Sequence, residues 1–159
     1  MTAPTLNQPV PDFSVAATSG QLVTRAALRG RWVVLYFYPK DNTPGCTTEG
    51  QDFRTLHADF LAAGACVLGI SRDSLKSHEK FRCEQNFPFE LIADTEETLC
   101  QLFDVLKLKK LYGKEYLGID RSTFLLDTEG VLRAEWRAVK VPGHAAEVLS
   151  TLQQLTTSC

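Results

Sequence analysis

The sequence contains no long apolar run. The longest, Trp32 to Tyr38, falls far short of the roughly 20 residues needed to cross a bilayer, so no membrane association is expected. The opening stretch, Met1-Thr2-Ala3-Pro4-Thr5-Leu6-Asn7-Gln8-Pro9, has neither a basic segment nor an apolar core. It therefore does not read as a secretory signal, and a cytoplasmic protein is expected. Neither sign of charge is in large excess: 17 Lys+Arg face 19 Asp+Glu, a net of −2. Without a clustered basic footprint, no nucleic-acid partner is expected. No C-x-x-C pair occurs, and His57, His78 and His144 have no spacing that suggests metal binding. These histidines read as surface or satisfied core residues, and no metal or organic cofactor is expected. Repeats, low-complexity tracts and interdomain linkers are also missing. A chain of 159 residues with 44% hydrophobic content fits one domain over 1–159, large enough to stand without a disulfide framework.

The chain does contain cysteine, at 46, 66, 83, 100 and 159. An odd count in a reducing compartment argues against structural disulfides, and any one cysteine is by default a small buried hydrophobe. Sequence patterns place most of them on elements. Phe13-Ser14-Val15 and Gln21-Leu22-Val23 suggest a short hairpin in a turn-rich N-terminal extension. Trp32–Tyr38, closed by Pro39, is continuously β-branched and aromatic, as in a strand buried on both faces. From Cys46 onward Phe53, Leu56, Phe60 and Ala63 share one helical face, and Gly64 ends that helix. Ala65–Ser71 is a second buried strand, making a β-α-β unit with a parallel pair. A helix over 74–86 capped by Asp73 or Ser74 follows, then a short strand Phe89–Ile92. Thr95 is expected to cap a helix carrying Leu99, Leu102, Phe103 and Leu106. A hairpin turns at Thr128-Glu129-Gly130, and a last helix follows Pro142-Gly143. The order β-α-β-α-β-α-β-β-α describes a three-layer α/β domain with a mixed sheet.

The segment Pro39-Lys40-Asp41-Asn42-Thr43-Pro44-Gly45-Cys46-Thr47-Thr48-Glu49 joins the first buried strand to the first helix. A cysteine in the opening turn of a helix faces unpaired backbone N–H groups and the positive end of the dipole, and both favour thiolate. Thiolate is the nucleophile that a peroxide O–O bond requires. Position alone leaves a nucleophile and a structural cysteine equally open.

The spacing P-x-x-x-T-x-x-C at Pro39, Thr43 and Cys46 resembles the active-site motif of peroxiredoxins, and Arg121-Ser122-Thr123-Phe124 resembles their arginine-bearing strand. The resemblance implies that Cys46 is the peroxidatic cysteine, that Thr43 hydrogen-bonds the peroxide, and that Pro39 shields the site from water. It implies that Arg121 orients the peroxide and supports the thiolate. Glu49 matches an acidic position that holds the arginine in the family; it also suits a helix-dipole carboxylate. The longer pattern Asp41-x-Thr43-Pro44-Gly45-Cys46-Thr47, with Pro-Asp-Phe at 11–13 and Val139-x-Val141-x-Gly143-His144, is similar to the bacterioferritin-comigratory-protein or PrxQ-like branch. That branch implies a thioredoxin-like fold, monomeric behaviour, and reduction of hydrogen peroxide or alkyl hydroperoxides with recycling by thioredoxin or a similar thiol.

One resolving position in the branch lies five residues after the peroxidatic cysteine and is Gln51 here. The other lies on the following helix, where Cys83 is the only cysteine; Arg82 occupies the aligned place, one residue earlier. Cys83 is thus the possible resolving cysteine, and a Cys46–Cys83 bond implies local unwinding near both. Cys66 and Cys100 read as core, and Cys159 as incidental. Two alternatives share the fold. A thiol–disulfide oxidoreductase needs a second cysteine where Thr43 stands, and a non-enzymatic holdase would leave Pro39, Thr43, Cys46 and Arg121 to coincidence.

Overall fold

The computed structural model describes residues 3–157; Cys159 lies outside them. A seven-stranded mixed sheet runs in the order β2-β1-β5-β4-β3-β8-β9. Its centre is β3 (Trp32–Phe37), parallel to β4 (Ala65–Ser71) and antiparallel to β8 (Ser122–Leu126). Parallel β5 (Leu91–Ala93) extends it on one side, followed by the N-terminal hairpin of β1 (Ser14–Ala17) and β2 (Gln21–Thr24). On the other side β9 (Leu132–Trp136) closes the hairpin turning at Thr128-Glu129-Gly130, where Gly130 takes the left-handed φ of 76° that glycine adopts freely.

Why β3 shows no alternation is plain from its two faces. Val33, Leu35 and Phe37 point to one core, with Ile70, Phe124 and Leu126. Val34, Tyr36 and Tyr38 point to the other, beneath α1 (Pro44–Ala62), α2 (Leu75–Gln85) and α4 (His144–Thr157). α1 contributes Phe53 and Phe60, α2 Phe81, and α4 Val148 and Leu152 to that second core. Tyr36 stacks on Phe53 at 4.6 Å. Gly69 sits beside Tyr36 in the register, and a Cβ there would stand 2.8 Å from the Tyr36 ring. Glycine is required at that crossing.

Three expectations are corrected. The helix near 98 begins later and ends sooner than its apolar spacing suggests: α3 spans Thr98–Leu102. Asp94, not Thr95, serves its start, its carboxylate accepting from the Leu99 and Cys100 amides at 3.0 and 2.8 Å. Asp104 turns left-handed (φ 53°) just after Phe103 and breaks the helix. Leu106 instead opens β6 (Leu106–Leu111), which pairs with β7 (Lys114–Ile119) as a separate two-stranded sheet. The lysine-rich alternation of 106–119 concealed that hairpin. The expected strand at Phe89–Ile92 starts at Leu91, because Phe87 and Phe89 pack under α1 and α2 as stacked rings 5.1 Å apart. By contrast Ser74 caps α2 as anticipated, accepting from the Ser77 amide at 3.1 Å, and Asn86 ends it in the left-handed region.

Candidate active site

The chain leaves β3 through Pro39 and turns at Asn42, whose φ of 65° suits asparagine. Thr43 then takes an extended N-cap conformation and Pro44 opens α1, its fixed φ fitting a first helical turn. Cys46 is the third helical residue, so its amide is among those with no partner within the helix. Its side chain is buried, at 2% exposure. One turn on, Glu49 shares its face of α1 and is buried too, at 1%.

Arg121 joins the two. It precedes β8, and its backbone carbonyl accepts from the Val139 amide at 2.9 Å. The guanidinium donates from Nη1 to Glu49 Oε1 at 2.6 Å and from Nη2 to Cys46 Sγ at 3.5 Å. A planar fork can serve carboxylate and sulfur together, which a single ammonium cannot. Gly45 leaves room for it: a Cβ there would stand 3.2 Å from Nη2. Thr43, the half-buried N-cap of α1, donates its hydroxyl to the Lys40 carbonyl at 2.9 Å. Pro39 is half-buried.

Burial raises the Glu49 carboxyl to about 7, although Arg121 pulls the other way. Its second oxygen, Oε2, is buried with no hydrogen-bond partner. For Arg121, burial alone would lower the pKa, but Glu49 and Cys46 together hold it above the usual arginine value. Burial also pushes the Tyr36 hydroxyl well up, with Glu49 and Cys46 adding to the effect.

His144 closes one side of the site. It is edge-on to Phe53 and to Trp136, with Nε2 at 2.7 Å from Thr123 Oγ1, and burial lowers it to about 4. Outside His144 a cavity of about 440 Å³ is lined by Trp136, Val139, Lys140, Pro142 and Glu147 among others. Both His144 and the fully buried His78 are satisfied core histidines, as their spacing suggested, and His57 is half-buried beside Phe89. Asp41, Asp73 and His78 bring potential ligand atoms within 4.8 Å of one another. Their atoms are engaged by protein partners, among them Tyr38 and Ser77 on Asp41 and Ser71 on Asp73.

Of the residues singled out in the sequence, Cys46, Glu49 and Arg121 meet directly, while Thr43 and Pro39 lie in the loop and N-cap leading to Cys46. Cys83 does not join them: it is exposed on the last turn of α2, and both sulfurs are free. Cys100 is buried and its thiol is raised by burial and by Asp94; Cys66 is only partly buried on β4. Sequence reasoning missed Tyr36, the Thr123–His144 pair and the contacts of Asp41. Asp41 was visible only as a letter of the motif.

Residues 6–135 match the model of the AhpC/TSA family. The chain belongs to that family. Peroxiredoxin Bcp of Xanthomonas campestris pv. campestris is 54% identical over 142 residues, covering 89% of each chain. Peroxiredoxin Bcp of Bacillus subtilis is 50% identical over 151 residues, covering 95% of this chain and 96% of that one. The solved structure of Xanthomonas campestris peroxiredoxin Q superposes with a TM-score of 0.90 at 50% identity, covering 98% of this chain and all of that one. The family member is thus a thiol peroxidase with the thioredoxin-like peroxiredoxin fold, using a peroxide and a thiol reductant. The oxidoreductase and holdase alternatives fall away. Among the described residues no helix is long and apolar enough to cross a membrane.

Proposed function

We propose that Cys46 is the peroxidatic nucleophile, and that its substrates are hydrogen peroxide and small alkyl hydroperoxides. The observation that carries this reading is the guanidinium of Arg121, fixed by Glu49 and donating to the Cys46 sulfur at the start of α1. The thiolate attacks the terminal oxygen of ROOH. The O–O bond breaks, an S–O bond forms, and the departing alkoxide takes the peroxide's proton, releasing ROH and leaving Cys46 as sulfenate, which a proton from solvent converts to the sulfenic acid. Arg121 stabilises charge on sulfur and on the oxygen under attack. The Thr43 hydroxyl, already donating to the Lys40 carbonyl, keeps lone pairs to accept from the peroxide O–H. Pro39 limits water. A solved Xanthomonas campestris bacterioferritin comigratory protein, 51% identical with a TM-score of 0.87, is described through its alkyl peroxide reduction activity.

Resolution falls to Cys83: its thiol condenses with the sulfenic acid, forming the disulfide and releasing water. An external dithiol, thioredoxin by this reading, then reduces the disulfide and is itself oxidised. The protein acts as a cytoplasmic monomer in peroxide defence. Cys46→Ser should abolish peroxide consumption while the circular-dichroism spectrum stays native; turnover retained by that variant would sink the assignment. Peptide mapping after one equivalent of peroxide should show a Cys46–Cys83 bond, whereas a persistent sulfenic acid would leave the external thiol to attack Cys46 directly.

A further inference from the structure

Among the described residues Asp41 and His78 form the most completely buried carboxylate–histidine contact, with side-chain exposures of 4% and 0%. Asp41 lies in the loop leading to Cys46, and His78 in the first turn of α2. His78 Nε2 faces the Ile92 carbonyl at 2.9 Å. A carbonyl only accepts, so that nitrogen carries a hydrogen. Nδ1 lies 2.7 Å from Asp41 Oδ2. Ser77 donates to the same oxygen at 2.8 Å, and Tyr38 donates to Oδ1 at 2.7 Å. The Asp41 amide in turn donates to Asp73 Oδ2 at 2.9 Å. Through its carboxylate Asp41 thus joins the peroxidatic loop to the end of β3 and the head of α2, through its amide it reaches the segment after β4, and through His78 it reaches β5.

The contacts at the far end of α2 are of a different kind. Gln51 Nε2 donates to Gln85 Oε1 at 2.9 Å and Arg54 to the Gln85 carbonyl at 2.5 Å, both only part-buried. Cys83 is exposed on that turn, beside Arg82, which donates to the Phe89 carbonyl at 2.9 Å and is part-buried. Cys46 follows Asp41 by five residues and Cys83 follows His78 by five (41 to 46, 78 to 83). An extended chain of five residues reaches about 17 Å. Two such arms from adjacent anchors can therefore bring the Cα atoms within the roughly 7 Å that a disulfide allows.

We propose that Asp41 and His78 are positioning residues: they form a latch that stays closed while Cys46 and Cys83 leave their helices, so both cysteines swing from one fixed point. This rests on Cys83 being the resolving cysteine. With the latch closed the two arms total about 10 residues; with it open they lengthen, and the 37 residues from 46 to 83 are the upper limit because β3, β4 and the body of α1 stay packed. Loop-closure probability falls roughly as the 3/2 power of length, so the latch raises the encounter of the two sulfurs by at most about sevenfold.

Hydrogen exchange on the wild-type protein, reduced and then oxidised with one equivalent of peroxide, tests this directly. In the oxidised form, amides over 47–51 and 81–85 should lose protection. The His78 amide, bonded to the Ser74 carbonyl at 3.0 Å, and the Asp41 amide should keep it. Loss of protection at both, with the Cys46–Cys83 bond mapped in the same sample, overturns the latch and leaves the resolver standing. Absence of that bond overturns both. In stopped-flow work, His78→Leu should slow disulfide formation relative to sulfenic-acid formation in the same variant, by a factor between about two and about seven; an unchanged ratio overturns the latch. His78→Asn, which keeps a donor near the Nδ1 position, should restore the ratio. If His78→Leu fails to fold, the exchange experiment alone decides.

Discussion

Replacing Glu49 by Gln isolates a pH-dependent contribution to stability. Burial raises the folded-state carboxyl from 4.5 to about 7. At about 1.36 kcal/mol per pKa unit, this corresponds to about 3 kcal/mol between the protonation states. The sign follows from proton uptake. Between these two values the folded protein holds the proton and the unfolded chain has lost it, so unfolding releases a proton and stability falls as pH rises. The penalty is complete above about 7, where the ionised carboxylate, with Oε2 unpartnered, relies on Arg121 alone. The amide introduced by Glu49→Gln does not titrate, and the other groups cancel in the comparison. Urea unfolding of wild type and Glu49→Gln at steps between pH 5 and 8 should therefore show wild type losing about 3 kcal/mol relative to the variant as pH rises. Parallel curves, or a wild type that gains on the variant with pH, would refute the placement of Glu49 as a buried acid with a raised pKa.

Arg121→Lys removes the fork that serves Glu49 and Cys46 together. Sulfenic-acid formation followed by stopped-flow fluorescence should slow at least about tenfold, the scale of one charge-assisted hydrogen bond. Thr43→Val should slow the same step through loss of its hydroxyl; wild-type rates in both variants would remove these roles. Gly50→Ala tests packing: a Cβ at 50 would stand 2.3 Å from Phe87 Cζ. Alanine favours helix by about 1 kcal/mol, yet overpacking of this kind costs about 1–3 kcal/mol, so chemical denaturation should show a net loss. A stabilised variant would mean that Phe87 moves aside freely.

Much of the chemistry was legible because it is local. Pro39, Thr43, Pro44 and Cys46 lie within eight consecutive residues, and the turn and helix start they encode place the sulfur at unpaired amides whatever the rest of the chain does. Cys46 and Glu49 share a face because they are three residues apart on a helix. The doubly buried β3 was legible for a similar reason, since an unbroken apolar run of that length has no polar face to offer solvent. Short-range signals also misled. Asp94, a residue before the expected cap, moved the start of α3 by capturing the Leu99 and Cys100 amides, and Leu106 went to a strand because Ile119 was there to pair with it.

The meeting of Arg121 with Cys46 could be inferred only through family resemblance, because 75 residues separate them and only the β3–β8 pairing brings them together. The contact of Asp41 with His78, the rise of Glu49 and the exposure of Cys83 left no such trace. Burial and partner choice belong to the packed chain: a carboxyl becomes a weaker acid when water is removed from around it, and an aspartate meets a histidine 37 residues away only when a sheet has set a loop beside a helix.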